Sequence, residues 1–199
     1  MKDELFEYKK NALLGKISGQ PLCSTYTQAW RACGNDREML VRLALSQQSL
    51  PHFMTSCYRK LGLSKKYILE NFGEYINGNR LFYDVEGVKG YSYEMYVGFS
   101  GIMDVRSDVV AFMWADHASV SVPMSKAPVI YVGCDSHLHV SLEGYNMPRI
   151  YLFDGSSVEI ADGDDESKVI VYKYSGDAKV STGDYCFSEI KIFDKELKL

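Results

Sequence analysis

His137 and His139, two residues apart, are the pair best spaced for chemistry in this sequence. On an extended strand both imidazoles leave the same side, about 7 Å apart. Glu159, twenty residues after His139, would stand beside them if the chain stacked with that period. Imidazole nitrogens and a carboxylate are donors that Zn²⁺ accepts, and Asp135 and His117 are the nearest further candidates. No metal-ligand spacing signature accompanies them, and strand histidines are ordinarily surface residues, so no metal is assigned. Asp162, Asp164, Asp165 and Glu166 around Gly163 offer oxygens suited to Ca²⁺, but without the EF-hand order they read as a solvated corner. Outward Glu159 and Asp177 could serve as acids of the kind that cleave polysaccharides. The motifs G-x-S-x-G, H-E-x-x-H and G-x-x-x-x-G-K-[ST] are all absent. The expectation is a protein that is not an enzyme and takes no cofactor.

Arg59, Lys60, Lys65 and Lys66 flank the short turn Gly62-Leu63-Ser64. Two helices joined there could form a helix-turn-helix, with these side chains on phosphates. A solvated charged corner fits the same residues. The chain has 15 tyrosines, and Tyr131, Tyr145, Tyr151 and Tyr172 fall at outward or corner positions. A tyrosine offers apolar area with a polar tip, which suits protein or sugar contact. Lateral stacking between adjacent strands would use the same rings. Tyr131, Tyr151, His137, His139 and Glu159 together form the candidate interaction face.

A repeat must position these groups. Apolar-x-apolar pairs begin at Val110, Ile130, Ile150, Val169 and Ile190, at intervals of 20, 20, 19 and 21. Each is followed by a turn and a second pair: Val120-x-Val122, Leu138-x-Val140, Val158-x-Ile160, Ala178-x-Val180 and Leu197-x-Leu199. A fixed period near twenty residues marks a stacked repeat. Two folds satisfy it. In a parallel β-solenoid each unit is one turn of a coil, and in an antiparallel meander or sandwich each unit is a hairpin turning at Asp154-Gly155. Recurrence of the pairs across turns of varied length favours the coil. Stacking then places Ser121, His139, Glu159, Lys179 and Lys198 in one outward column, and Ser119, His137, Ser157 and Asp177 in another.

The first 78 residues carry helical spacing instead. Phe6, Leu13 and Ile17 form one stripe; Leu22, Tyr26, Trp30 and Cys33 form the next. Asn35 with Glu38 resembles a capping box ahead of Leu40, Leu43 and Ala44. Pro51 can open a further helix, and Ser64 can cap the last, with Ile68, Phe72, Tyr75 and Ile76 on one face. Residues 79–108 read as a transition, in which Tyr91, Tyr93, Met95 and Val97 alternate with a wetter Ser92, Glu94 and Tyr96. The predicted organisation is α+β: a helical domain over 1–78, the transition, and a β-solenoid of about five turns over 109–199.

Charge follows the same division. Residues 1–78 hold 11 Lys and Arg against 7 Asp and Glu, a net of +4, and residues 79–199 hold 11 against 19, a net of −8, which together make the chain's −4. Such asymmetry points to modules with different partners, or to modules that attract each other. Five cysteines without a C-x-x-C pair do not suit a secreted disulfide framework. No apolar run is long enough to span a membrane, and the charged start lacks the features of a secretory leader. A cytoplasmic location is expected.

The units Asp116-His-Ala-Ser-Val-Ser-Val, Asp135-Ser-His-Leu-His-Val, Asp154-Gly-Ser-Ser-Val-Glu-Ile and Ser175-Gly-Asp-Ala-Lys-Val resemble repeats of uncharacterised β-helix proteins met in bacterial phage and mobile elements. That resemblance covers about 90 residues; it implies a right-handed parallel β-helix and brings no catalytic residue. The expected function is interaction or assembly, through an unknown protein partner or self-association. The alternative is nucleic-acid binding by the basic helical part.

Overall fold

The computed structural model describes residues 3–18, 22–72, 81–83 and 93–195. The chain divides after residue 73 into two compact units, the first helical and the second built of strands.

The helices are α1 (Glu4–Leu13), α2 (Ser24–Ala32), α3 (Arg37–Ala44), α4 (Leu50–Tyr58) and α5 (Lys65–Asn71), with one turn of 3-10 helix at Gln47–Ser49. None exceeds 10 residues, too short to persist alone in water. Buried side chains hold them, and α1, α3 and α5 also carry a side-chain cap, whereas α2 and α4 carry none. In α1 the stripe is Leu5, Tyr8 and Ala12, all fully buried; Phe6 and Leu13, expected on it, are only half-buried, whereas Ile17 beyond the helix end is buried as expected. Ser64 caps α5 as its sequence predicts, accepting the Tyr67 N–H at 3.1 Å. The expected Asn35–Glu38 box does not form. Asp36, with an extended backbone, is the cap of α3 and accepts the Met39 N–H at 3.1 Å. That moves Glu38 one position too early to reach back, and it pairs with Arg42 one turn on, at 2.7 Å. The last helix ends at Asn71, so the expectations for Tyr75 and Ile76 fall outside the described residues.

The strands are β1 (Leu81–Tyr83), β2 (Tyr93–Val97), β3 (Gly101–Asp104), β4 (Val109–Met113), β5 (Ala118–Val122), β6 (Val129–Gly133), β7 (His137–Leu142), β8 (Arg149–Leu152), β9 (Ser157–Gly163), β10 (Lys168–Lys173), β11 (Lys179–Cys186) and β12 (Glu189–Asp194). They form two sheets, ordered β1-β2-β4-β6-β8-β10-β12 and β3-β5-β7-β9-β11. Every pairing is parallel. From β2 onward consecutive strands therefore lie in opposite sheets, and the fold is a parallel β-solenoid of about five turns. The antiparallel alternative is excluded. Asp154-Gly155 makes a corner of the coil and not a hairpin.

Inward residues of both sheets fill one core: Val110, Phe112, Ile130, Val132, Ile150, Leu152, Val169 and Val171 from one, and Val120, Val122, Leu138, Val140, Val158 and Ile160 from the other. Each is at most 2% exposed, and burying such a side chain is worth about 1.5–3 kcal/mol.

The register differs from the simple period in three places. Val171, not Val169, stands beside Ile150. Val180, not Ala178, stands beside Val158. Val120 stands beside Val140 instead of Leu138. Corners of unequal length absorb these slips, while the strands keep the pairing that buries most apolar surface. The coil also reaches further toward the N-terminus than the repeat suggests, because β2 and β3 join the same two sheets. In β2 the expected alternation is inverted. Glu94 pairs with Val110 and Tyr96 with Phe112, so these two face the core, and all five strand residues are buried. The Tyr96 ring stacks on Phe112 at 5.4 Å, and its hydroxyl donates to Glu94 Oε2 at 3.1 Å.

Candidate functional site

The histidine pair lies on the outer face of β7, as its spacing predicts. His137 Nδ1 meets Ser157 Oγ of the next coil at 2.7 Å, and His139 Nδ1 meets Glu159 Oε2 at 3.3 Å. The columns differ from expectation by the register slips. Ser119, not Ser121, flanks His139, and Lys179 continues the His137–Ser157 column instead of following Glu159. His117 sits on the corner before β5, its Nε2 3.8 Å from Asp116. Among the described residues no group of three or more His, Cys, Asp or Glu side chains is placed to hold a metal ion.

The opposite sheet carries an aromatic ladder. Tyr131, Tyr151, Tyr172 and Phe193 share one column of outward positions. Their ring centroids are 5.0, 4.9 and 5.5 Å apart, with the planes within 29° of each other. Strand spacing in a sheet is about 4.8 Å, so stacked coils impose this distance on equivalent rings. Phe153 and Tyr174 stack as a second column at 4.9 Å. The repeat offered a signal for that second column, an aromatic two residues after Tyr151 and again after Tyr172, whereas Gly133 holds that place after Tyr131. Because the rings lie face to face, Tyr151 has a neighbour on both faces and turns only its edge and hydroxyl outward. Burial raises the hydroxyl pKa of Tyr131 and Tyr174. Phe193 has a ring against one face only, among the described residues.

The basic corner between α4 and α5 is largely engaged. Arg59 Nη1 donates to the Lys16 carbonyl at 2.8 Å, and its Nε and Nη2 are buried. Lys60 is an exposed residue with left-handed backbone, φ 55°. Lys65 is half-buried, and Lys66 lies 3.8 Å from Glu70. At the start of α5, where a phosphate would dock, the Glu4 carboxylate accepts the Ser64 N–H at 2.7 Å and the Ser64 hydroxyl at 3.0 Å. Asp3 lies nearby, bound to Arg37 and to the Tyr67 hydroxyl. Burial alone would raise the Asp3 carboxyl, but these bonds and the Arg37 charge carry it below its ordinary value.

A less visible polar cluster holds one corner of the coil. The buried Asp154 carboxylate accepts the N–H groups of Cys134, Asp135 and Ser156 and the Ser156 hydroxyl. Burial raises its pKa against those bonds. The Ser156 hydroxyl in turn accepts the Ser136 N–H, and the Ser136 hydroxyl accepts the Ala115 N–H, each at 3.0 Å. A hydrogen-bonded column thus runs through three coils.

The last coil is built differently from those before it. Ile190 and Ile192 continue the inward column of Val169 and Val171, yet Ile192 is 49% exposed. Phe193 is 44%, Tyr185 75% and Phe187 70% exposed. Among the described residues, strands β11 and β12 each have a neighbour on one side only. The apolar pair at Ile190 and Ile192 was legible as an inner pair of the repeat; its exposure was not, since a period says nothing of where stacking stops.

Among the described residues no helix is long and apolar enough to cross a membrane. No protein-family model matches the chain, and comparison with curated proteins and with solved structures finds no match.

Proposed function

We propose that this protein is a non-enzymatic interaction or assembly module of the cytoplasm, which engages protein through the open end of its solenoid. The observation that carries this is the last described coil, beyond which no described strand lies. A solenoid end presents both a cross-section of the core and two unpaired strand edges, and stable repeat proteins cap such ends. Here large side chains face solvent instead: Tyr185, Phe187, Ile192 and Phe193. Covering one such side chain fully contributes about 1.5–3 kcal/mol, enough for a few of them to drive association.

The lateral candidates favour the end by contrast. His139 is occupied by Glu159 and His137 by Ser157, while the faces of Tyr151 are occupied by Tyr131 and Tyr172. They form the sides of a rigid body whose free valences lie at its tip. A phage or mobile-element setting enters this proposal through the resemblance of the repeat units alone.

The test is a photo-reactive amino acid at Phe187, compared with the same group at Met124, an exposed corner residue of an interior coil. Illumination in the cells that make the protein should yield covalent protein adducts at position 187 and few at 124. Equal or absent adducts at the two positions would overturn the proposal.

A further inference from the structure

The open edge has a chemistry of its own. Strand β12 with the residue after it reads Glu189-Ile-Lys-Ile-Phe-Asp-Lys195. The N–H groups of Glu189 and Lys195 are spent on β10, at 3.1 and 2.7 Å. Successive residues of a strand turn their main-chain groups to alternate edges. Ile190, Ile192 and Asp194 therefore direct their N–H and C=O groups to the side on which no described strand lies. This is a template for one more strand, and a β-edge of this kind recruits an extended partner by main-chain hydrogen bonds.

Charge order singles out the partner. Consider a second copy of the same strand laid antiparallel, as a twofold axis requires. Core-facing side chains must meet core-facing side chains, so the axis has to pass through a residue and not between two. An axis at Lys191 sets that lysine against itself, and an axis at Phe193 sets Lys191 against Lys195. An axis at Ile190 draws Phe187 and Ser188, which precede the strand, into the pairing. An axis at Ile192 uses all seven residues from 189 to 195. It places Glu189, which already lies 2.9 Å from Lys191 and 3.7 Å from Lys168 of its own chain, opposite Lys195 of the second copy, twice, and Lys191 opposite Phe193, whose outer face meets no ring among the described residues. Ile192 meets its own equivalent at the centre. The open main-chain groups of Ile190, Ile192 and Asp194 find partners together, while Asp194 keeps its pairing with Lys173 at 3.3 Å.

We infer that the C-terminal edge of the solenoid is a self-association site, at which two copies pair β12 antiparallel about a twofold axis through Ile192. The inference rests on the reading that this end binds protein, and names that protein as a second copy. The opposite-charge pairs contribute register more than affinity, since exposed cross-strand pairs are worth about 0.2–1 kcal/mol each. Affinity comes from covering Ile192 and Phe193 and from filling the edge.

Sedimentation equilibrium of the full chain tests it. The parent protein should show a reversible monomer–dimer equilibrium at micromolar concentrations. Glu189→Lys, at an exposed position, gives up the intrachain pairs with Lys191 and Lys168, sets like charges opposite each other twice and should weaken the dimer about tenfold or more. Lys195→Glu should do the same, and the double variant Glu189→Lys/Lys195→Glu should restore the parent affinity. Ile192→Arg, with two cations at the axis, should be monomeric with unchanged circular dichroism. A parent protein that stays monomeric overturns the inference, as does a dimer indifferent to both Ile192→Arg and Glu189→Lys. If a monomeric parent still forms adducts at position 187 with a different protein, self-pairing fails and the interaction reading stands; if it forms none, both fail.

Discussion

His52 gives the helical unit a specific sensitivity to acid. Its Nδ1 lies 3.1 Å from the Tyr8 hydroxyl, and its Nε2 is buried without a protein partner among the described residues. Tyr8 is itself fully buried, edge-on to Trp30 at 5.5 Å, and burial holds its hydroxyl pKa far above neutrality. An imidazolium here would carry charge into an apolar setting with a second N–H left unpaired. Burial accordingly takes the His52 pKa down from 6.5 to about 4. Above pH 6.5 both folded and unfolded chains carry neutral His52, and the stability is fully present. As the pH falls below 6.5 the unfolded chain takes up a proton that the folded chain refuses. Stability is then lost at up to about 1.4 kcal/mol per pH unit until about pH 4, where the folded form protonates too. The full shift corresponds to about 3 kcal/mol, and the partial exposure of the ring lowers this to about 2 kcal/mol. Asp3, whose folded pKa is lowered, loses its contribution only at still lower pH.

The assay is urea unfolding of the full chain at several pH values between about 7.5 and about 4.5. Trp30 fluorescence reports the helical unit once the second tryptophan is removed by Trp114→Phe. His52→Gln can keep a hydrogen bond to Tyr8 and does not titrate. It should flatten the pH dependence in this window by about 2 kcal/mol relative to the parent. A ring proton of His52 that titrates near 6.5 by NMR, or an unchanged pH slope in His52→Gln, would refute the argument.

Substitutions at three further positions probe the coil. Asp154→Ala removes the carboxylate that accepts the Cys134 and Asp135 N–H groups and the Ser156 hydroxyl, and should cost about 2–4 kcal/mol by denaturant unfolding. Asp154→Asn should also destabilise, because its amide NH₂ must face one of the same donors. Gly183 packs so close to the Ala161 carbonyl that an added Cβ would overlap backbone; Gly183→Ala should therefore speed hydrogen exchange in β11 while sparing β5 to β7. Tyr151→Ala removes a ring stacked on both sides and should cost about 2–4 kcal/mol, whereas Tyr151→Phe should be nearly neutral in the same melt; a large loss in Tyr151→Phe would assign the hydroxyl a role that the ladder does not explain.

The architecture was legible because its cause is periodic. Inward Val, Ile and Leu recur where each coil must fill the same cross-section, so the twenty-residue step survives corners of different length. Register was less legible, since two neighbouring apolar pairs, such as Ala118-x-Val120 and Val120-x-Val122, fit one period equally well, and only the pairing of strands decides between them. The corresponding slip between β9 and β11 moved Lys179 from the column of Glu159 to the column of His137. The Asp154-Gly155 signal was read from true local geometry: Asp154 has φ 47°, and Cys134 and Asp135 one coil earlier have φ 57° and 56°. Left-handed backbone of this kind serves a hairpin or a solenoid corner, and the carboxylate reaching back to the preceding coil makes it a corner here. Asn35 lost to Asp36 for a similar reason, because a cap is chosen by which residue is last to be extended. The open end was least legible of all. Ile190 and Ile192 are as apolar as any inner pair, and nothing in their own residues distinguishes a covered rung from a final one. Only the charge order of 189–195, read against an axis, turns that exposed rung from a defect of stacking into a specific surface.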